Sequence, residues 1–189
     1  MSAIEKQDKE VFDLIKREEK RQAETIDLIA SENYPSRAVR EALASIYVAK
    51  YSEGRPFKRY YGGMENVDAL ETLVEDRARK AFGIDQEWAV NVQPYSGSPA
   101  NYAVYRGLLE RGDIILSLDL SHGGHLTHGS PVSLSGIDFR IVHYAVSTTT
   151  QQLDYEQISK LALEQRPKLI IAGYSAYSRI IDFEEFGNI

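Results

Sequence analysis

The sequence predicts an α/β fold: a mostly parallel sheet with helices on both faces. Three observations carry this. Short apolar runs of strand length stand at 88–92, 113–118, 139–144 and 168–172. Segments with helical spacing, 99–109 and 154–163, stand between members of that set. The stretches that follow the strands are polar or glycine-rich, as connections at the surface should be. Buried strands that alternate with helices indicate parallel crossover units, because a crossover must pass over a sheet face and cover it.

Taken in order, residues 9–29 are charge-rich with scattered Val11, Phe12, Ile15 and Ile26. That reads as a helix with one thin apolar seam, which suits the surface of another subunit as well as this chain's own core. A second helix is predicted over 35–47, with Ser36 near its start and Val39, Leu43, Ile46 and Tyr47 on one face. Residues 50–63 are rich in Gly, Pro, Tyr and charge, have no period of either kind, and read as a loop. A third helix is predicted over 66–82, with Val67, Leu70, Val74, Ala78 and Ala81 spaced by three and four. Gly83 then stands where a left-handed helix end is wanted. No repeat and no low-complexity linker interrupts the chain.

Composition narrows the function classes. The 189 residues suit one domain or part of a larger one, and 43% apolar residues allow a sizeable core. A formal charge of −6 argues against a nucleic-acid backbone as the main partner. With no cysteine, neither a disulfide framework nor a thiolate metal site can form. No apolar run approaches a membrane span, and the charged first ten residues resemble no secretory or organellar leader. A cytoplasmic enzyme with no membrane partner is the expectation.

Crossover folds bind ligands beyond the carboxyl ends of their strands. Three stretches are placed there: 93–101, 119–130 and 173–179. The first contains Ser96-Gly97-Ser98-Pro99. Proline favours the first helical position, which makes Ser98 the expected N-cap. Free amides and the positive helix end would then face an anion such as a phosphate, with two hydroxyls and a glycine to admit it. The same residues also read as an ordinary capped helix with no ligand. A Walker loop is excluded, since the Gly-Lys-Ser/Thr ending is missing.

The second stretch holds three of the four histidines, His122, His125 and His128. A glycine pair prevents the regular helix that would align them on a metal, and no acid lies among them, so no metal is expected. An imidazole lying flat against an aromatic cofactor ring, with glycines leaving room for it, is another use; polar loop filling is a third, above all for His122 and His128. In the loop over 50–63, Glu53 sits among Tyr51, Tyr60, Tyr61, Arg55, Lys58 and Arg59, where a partly buried carboxylate can do acid–base work. The third stretch, Tyr174-Ser175-Ala176-Tyr177-Ser178-Arg179, offers hydroxyl donors.

Together these pieces resemble serine hydroxymethyltransferases. The matching stretches are Leu28-Ile29-Ala30-Ser31-Glu32-Asn33-Tyr34, Lys50-Tyr51-Ser52-Glu53-Gly54 and Lys58-Arg59-Tyr60-Tyr61-Gly62-Gly63. Further along come Asn91-Val92-Gln93-Pro94, Ser96-Gly97-Ser98, the run from His122 to Pro131, and Ser175-Ala176-Tyr177. The resemblance implies the large domain of a fold type I, aspartate-aminotransferase-like enzyme, incomplete at the C-terminus, with 1–30 as a helical dimer-contact arm and 31–189 as the first portion of the cofactor-binding domain. It implies pyridoxal 5′-phosphate as cofactor, tetrahydrofolate as co-substrate, and exchange of a one-carbon unit between serine and glycine. By the same resemblance, Ser96, Gly97 and Ser98 hold the cofactor phosphate, His125 stacks on its ring, and Ser175 reaches the ring's phenolic oxygen. Ser31 and Tyr61 contact the amino acid, and Glu53 is the acid–base carboxylate. Tyr51 and Glu53 enter a neighbouring subunit's site, which implies a homodimer or tetramer. Tyr60, Leu120, Gly124 and Leu126 take the folate-contacting positions.

The family's cofactor-bearing lysine follows a Thr-rich stretch ending in His-Lys, expected a few dozen residues past Ile189, so the 189 residues alone are expected to be inactive. Ser147-Thr148-Thr149-Thr150-Gln151-Gln152 has the threonines without the His-Lys, and Tyr95 stands where the family often has histidine. The rival readings are a threonine-aldolase-like enzyme of the same fold type, a non-catalytic assembly module and, more distantly, a metal-dependent hydrolase built on the histidines.

Overall fold

The structure, a computed structural model, describes residues 2–29 and 31–189; Met1 and Ala30, the latter inside the Leu28 to Tyr34 stretch, lie outside the described residues. The chain divides into two compact units, one reaching to Tyr51 and one running Ser52–Ile189.

In the first unit, α1 (Ala3–Gln7) and α2 (Lys9–Glu24) each start at a side-chain cap, Ser2 to Glu5 N–H and Asp8 to Val11 N–H. No described residue of this unit is buried. With no core beneath it, α2 relies on its own surface: Lys9–Asp13, Lys16–Glu19 and Arg21–Glu18 pair three or four residues apart, worth a few tenths of a kcal/mol each, roughly. The helix predicted to residue 29 stops at Glu24 because Thr25 turns extended and its hydroxyl takes the carbonyl of Arg21. The helix predicted over 35–47 is also shorter: α3 covers Arg37–Leu43, and a 3-10 turn follows at Ile46–Ala49.

The second unit opens with a small antiparallel hairpin, β1 (Gly54–Arg55) and β2 (Lys58–Arg59), inside the stretch read as loop. Then come α4 (Glu65–Phe82) and α5 (Gly97–Leu108). A three-stranded parallel sheet follows, of β3 (Ile114–Leu118), β4 (Arg140–Tyr144) and β5 (Leu169–Ile170) in the order β4-β3-β5. The short α6 (Leu134–Asp138) lies between β3 and β4, α7 (Tyr155–Gln165) between β4 and β5, and α8 (Phe183–Asn188) after β5.

Central β3 is buried from Ile115 to Leu118, and its two-residue period divides the core between its faces. Leu116 and Leu118 cluster with Tyr144, Leu153 and Ile158 from the α7 side. Ile115 clusters with Tyr105, Leu109 and Phe139 from the α5 side. The sheet is therefore covered on both faces, as the sequence predicts.

One expectation fails here. Residues 88–92 form no strand: among the described residues none pairs with them, and the carbonyls of Trp88 and Val90 instead accept from the side chains of Arg79 and Arg55. Along the apolar stripe of α4, Leu70 and Val74 are exposed. The buried face of α4 is acidic. Asp68 and Glu75 are its buried residues, and with Glu71 they receive Arg59 and Arg55 from the hairpin. The predicted end at Gly83 is present, with φ +65° and the amides of Gly83 and Ile84 closing on Lys80 and Arg79 carbonyls. No helix of the described residues is long and apolar enough to cross a membrane.

Candidate active site

From β3 the chain passes to β4 on one side, then crosses back over to β5 on the other. Neighbouring connections leave in opposite directions at such a point and open a crevice at the strands' carboxyl ends. The loops after β3 and β5 border it, and the start of α5 completes it as a cavity of about 340 Å³. Ser96, Gly97 and Ser98 line one side; His125 and His128 come from the loop after β3, and Gly173, Tyr174 and Ser175 from the loop after β5.

The N-cap of α5 is Ser96, with extended backbone, and not Ser98. Pro99 consequently sits third in the helix, which costs nothing because no amide of the first turn has an intrahelical acceptor. Ala100 N–H bonds back to Ser96 O. Unlike Ser2, Ser36, Asp154 and Asp182 at other helix starts, Ser96 does not cap with its side chain. Gly97 and Ser98 thus bring amides, and Ser96 and Ser98 hydroxyls, to a cavity wall at the positive end of a 12-residue helix. This donor set fits a phosphate.

The two loops are zipped together. Gly123 O accepts the amides of Ser175 and Ala176 at 3.0 and 3.1 Å. Gly123 holds φ +111°, and a Cβ there would stand 2.7 Å from the amide nitrogen of Tyr177. A Cβ on Gly124 would strike the carbonyl of Leu118. Both glycines are needed by the protein's own backbone. A Gly123→Ala variant is expected to lose about 1–2 kcal/mol of stability, from strained φ plus the separated loops, read as a lower urea midpoint at unchanged m-value.

Each imidazole of this loop uses Nδ1 as an acceptor. His122 takes the Val146 amide at 3.0 Å, His125 the Thr127 amide at 3.1 Å, and His128 the His125 amide at 3.3 Å. Burial, and secondarily His125, pushes His128 down to about 4. Among the described residues no three His, Cys, Asp or Glu gather as a metal would require. At the start of the loop Asp119 accepts both the hydroxyl and the amide of Ser121, which hold its carboxyl below the usual range.

Glu53 and Tyr61 flank the hairpin strands and are not in the cavity lining. Tyr61 Oη donates to Glu53 Oε2 at 3.2 Å, and that carboxylate raises the phenol above its ordinary value. Arg59 fixes the geometry: Nη1 donates to the carbonyls of Ser52 and Gly54, on either side of Glu53, at 2.8 Å each. Its Nε and Nη2 reach Asp68 and Glu71 on α4. Gly54, at φ +101°, is required because a Cβ would meet Lys58 O.

Of the other expected positions, Tyr60, Leu120 and Leu126 are exposed and Gly124 is buried. Leu126 lines a second cavity of about 520 Å³ with Tyr95, Pro99, Tyr102 and Leu134. Ser31, in a turn, and Tyr51 belong to the first unit and are both exposed. Sequence reasoning gave no role to Asn101, which lines the first cavity beside Tyr174 of the third stretch. Asn101 was legible in principle, since four residues after Gly97 is the same helix face one turn on.

A family model described as serine hydroxymethyltransferase matches residues 4–189. The chain is 56% identical over 182 residues to a curated serine hydroxymethyltransferase of Nostoc sp., covering 96% of this chain and 42% of that protein. It is 54% identical over 188 residues to the one from Prochlorococcus marinus, covering 100% of this chain and 44% of that protein. The chain thus spans less than half the length of these curated relatives.

Proposed function

The chain belongs to the serine hydroxymethyltransferase family, and on that premise we propose that the protein interconverts serine plus tetrahydrofolate and glycine plus 5,10-methylenetetrahydrofolate with pyridoxal 5′-phosphate as cofactor. The observation that carries the cofactor assignment is the uncapped start of α5 at the cavity wall.

When bound, the cofactor supplies an electron sink for making and breaking bonds at the amino acid's α-carbon. The chain's own residues bind and orient. Amides of Gly97 and Ser98, with the hydroxyls of Ser96 and Ser98, grip the phosphate, so that remote binding energy positions the reacting atoms. With the cofactor bound, His125 would lie over the ring and Ser175 would donate to its phenolic oxygen. Glu53 holds and releases the proton of the serine hydroxymethyl group, steered by the Tyr61 phenol, while Ser31 and Tyr61 contact the amino acid. Tyr60, Leu120 and Leu126 offer exposed surface to folate, and Gly124, with no space for a Cβ, offers it backbone alone.

The fold reading is the type I, aspartate-aminotransferase-like large domain, supported by the parallel β4-β3-β5 sheet with α5 and α7 on opposite faces. Residues 1–30 serve as a dimer-contact arm and 31–189 as the first portion of the cofactor domain. The absence of any buried described residue up to Tyr51 supports the arm. A homodimer or tetramer follows, with Tyr51 and Glu53 serving a neighbour's site; Glu53 is held rigidly beside the hairpin strands, outside its own cavity lining. The cytoplasm is the compartment this reading implies.

The test is an assay of the protein expressed from its complete coding frame and loaded with pyridoxal phosphate. Glycine formation from serine that requires tetrahydrofolate is expected. Folate-independent cleavage of β-hydroxy amino acids alone would assign an aldolase instead, and stoichiometric bound zinc would contradict the reading.

A further inference from the structure

The loop that carries His125 is gripped by the same helix whose start lines the phosphate side of the cavity. Asn101, which also lines the cavity, donates from Nδ2 to Thr127 Oγ1 at 2.9 Å. One turn further along α5, the buried Tyr105 donates its hydroxyl to Thr127 O at 3.0 Å. Thr127 in turn addresses His125 twice, through its amide to Nδ1 at 3.1 Å and its hydroxyl to the same nitrogen at 2.7 Å.

The donor directions follow from chemistry. An amide N–H can only donate, so the Nδ1 that receives it carries no proton. The Asn101 NH2 can only donate, so Thr127 Oγ1 accepts from it and turns its own proton to Nδ1. The chain Asn101 → Thr127 → His125 therefore runs in one direction and leaves the imidazole proton on Nε2.

We propose that Thr127, aligned by Asn101 and Tyr105, is the positioning residue for His125: it fixes the imidazole as the Nε2–H tautomer and locks its ring plane to the helix that holds the phosphate. The inference rests on the cofactor reading above for its purpose, but not for its geometry. One rigid helix then sets both the anchor of the cofactor and the plane of the ring lying over it. Register between the two is kept through two side chains one turn apart.

The test reads side-chain 15N shifts of His125 in the cofactor-free protein at pH 9, where imidazoles are neutral. The four histidines are told apart by comparison with His125→Gln. A pyridine-like Nδ1 and a pyrrole-like Nε2 are expected in the parent and in Thr127→Ser. Asn101→Asp is nearly isosteric but reverses the chain: its carboxylate accepts the threonine proton, and the Nδ1–H form is expected to rise about five- to tenfold, the worth of one hydrogen bond. Thr127→Val removes the hydroxyl and is expected to shift the tautomers in the same direction. In the loaded protein, Thr127→Val should lower kcat about tenfold while pyridoxal phosphate affinity moves less than threefold, with Thr127→Ser restoring kcat. A pyrrole-like Nδ1 in the parent, or tautomer ratios unmoved in both Asn101→Asp and Thr127→Val, would overturn the proposal. Failure of the parent to bind pyridoxal phosphate would sink the cofactor reading alone, since the tautomer measurement does not need it.

Discussion

A Gly97→Asp variant is expected to bind pyridoxal phosphate at least about a hundredfold more weakly while folding as stably as the parent. Gly97 is the first residue of α5, and apart from its chain neighbours and its own helix backbone no atom lies within 4 Å of a Cβ built on it. The new side chain therefore fits. A carboxylate in the first turn of a helix is itself stabilising, by about 0.3–1 kcal/mol, because it meets the positive end that otherwise awaits an anion. For the cofactor the sign reverses. A unit charge about 5 Å from a phosphate dianion costs about 7 kcal/mol at an effective dielectric of about 20. Solvent screening halves this and still leaves the roughly 3 kcal/mol that a hundredfold loss requires. Gly97→Ala separates charge from bulk, with less than about a fivefold change expected from a methyl group in open space. Equilibrium dialysis against the cofactor and urea unfolding give the two readouts. If Gly97→Asp binds as tightly as the parent, the phosphate does not sit at the start of α5.

What the sequence made legible follows the range of the interactions that fix each element. The strands β3 and β4 were readable because an apolar run buried on both faces needs no knowledge of its neighbours. Residues 88–92 carry a similar run, yet a strand also requires a partner with free backbone groups; here Arg55 and Arg79 occupy the Val90 and Trp88 carbonyls. On α4 the apolar period does not mark the buried face. Its buried side is set by Arg59 and Arg55 reaching back to Asp68, Glu71 and Glu75, a pairing across up to 20 residues. The acids at i, i+3 and i+7 were visible, but nothing local says that two arginines will find them.

The cavity shows the same division. Ser96 to Ser98 were legible as a helix start, with the boundary displaced by two residues: proline is tolerated anywhere in a first turn that lacks internal acceptors. Gly123 and Gly124, read as making space, also let the strand and loop backbones approach. The grip of Asn101 and Tyr105 on Thr127 spans 26 and 22 residues and leaves no local trace.

The second large effect concerns His128, which is expected to make the fold labile to mild acid. Only 8% of it is exposed, and burial lowers it to about 4 from an ordinary value of 6.5. In the unfolded chain the imidazole binds its proton as pH falls through the ordinary value; in the folded chain it stays neutral until about 4. Across that interval the unfolded state holds more protons, so stability falls as pH falls, and the loss is complete once both states are protonated. Between pH 7.5 and 5 the decrease is about 2 kcal/mol. The carboxyls of Asp119 and Asp138, held below their usual range by Ser121 and by Tyr102, lose their contributions only at lower pH, so the upper window belongs to His128. His128→Asn keeps an acceptor for the His125 amide and removes the titration. Urea unfolding at pH 7.5 and 5 should show a shallower loss in this variant; an equal loss in both proteins would show that another group carries the acid sensitivity. A proton on Nδ1 of His128 would also displace the amide of His125. The acid transition should therefore disturb the 15N shifts of His125 before the sheet unfolds, because the loop between the two imidazoles is held at His125 through that bond.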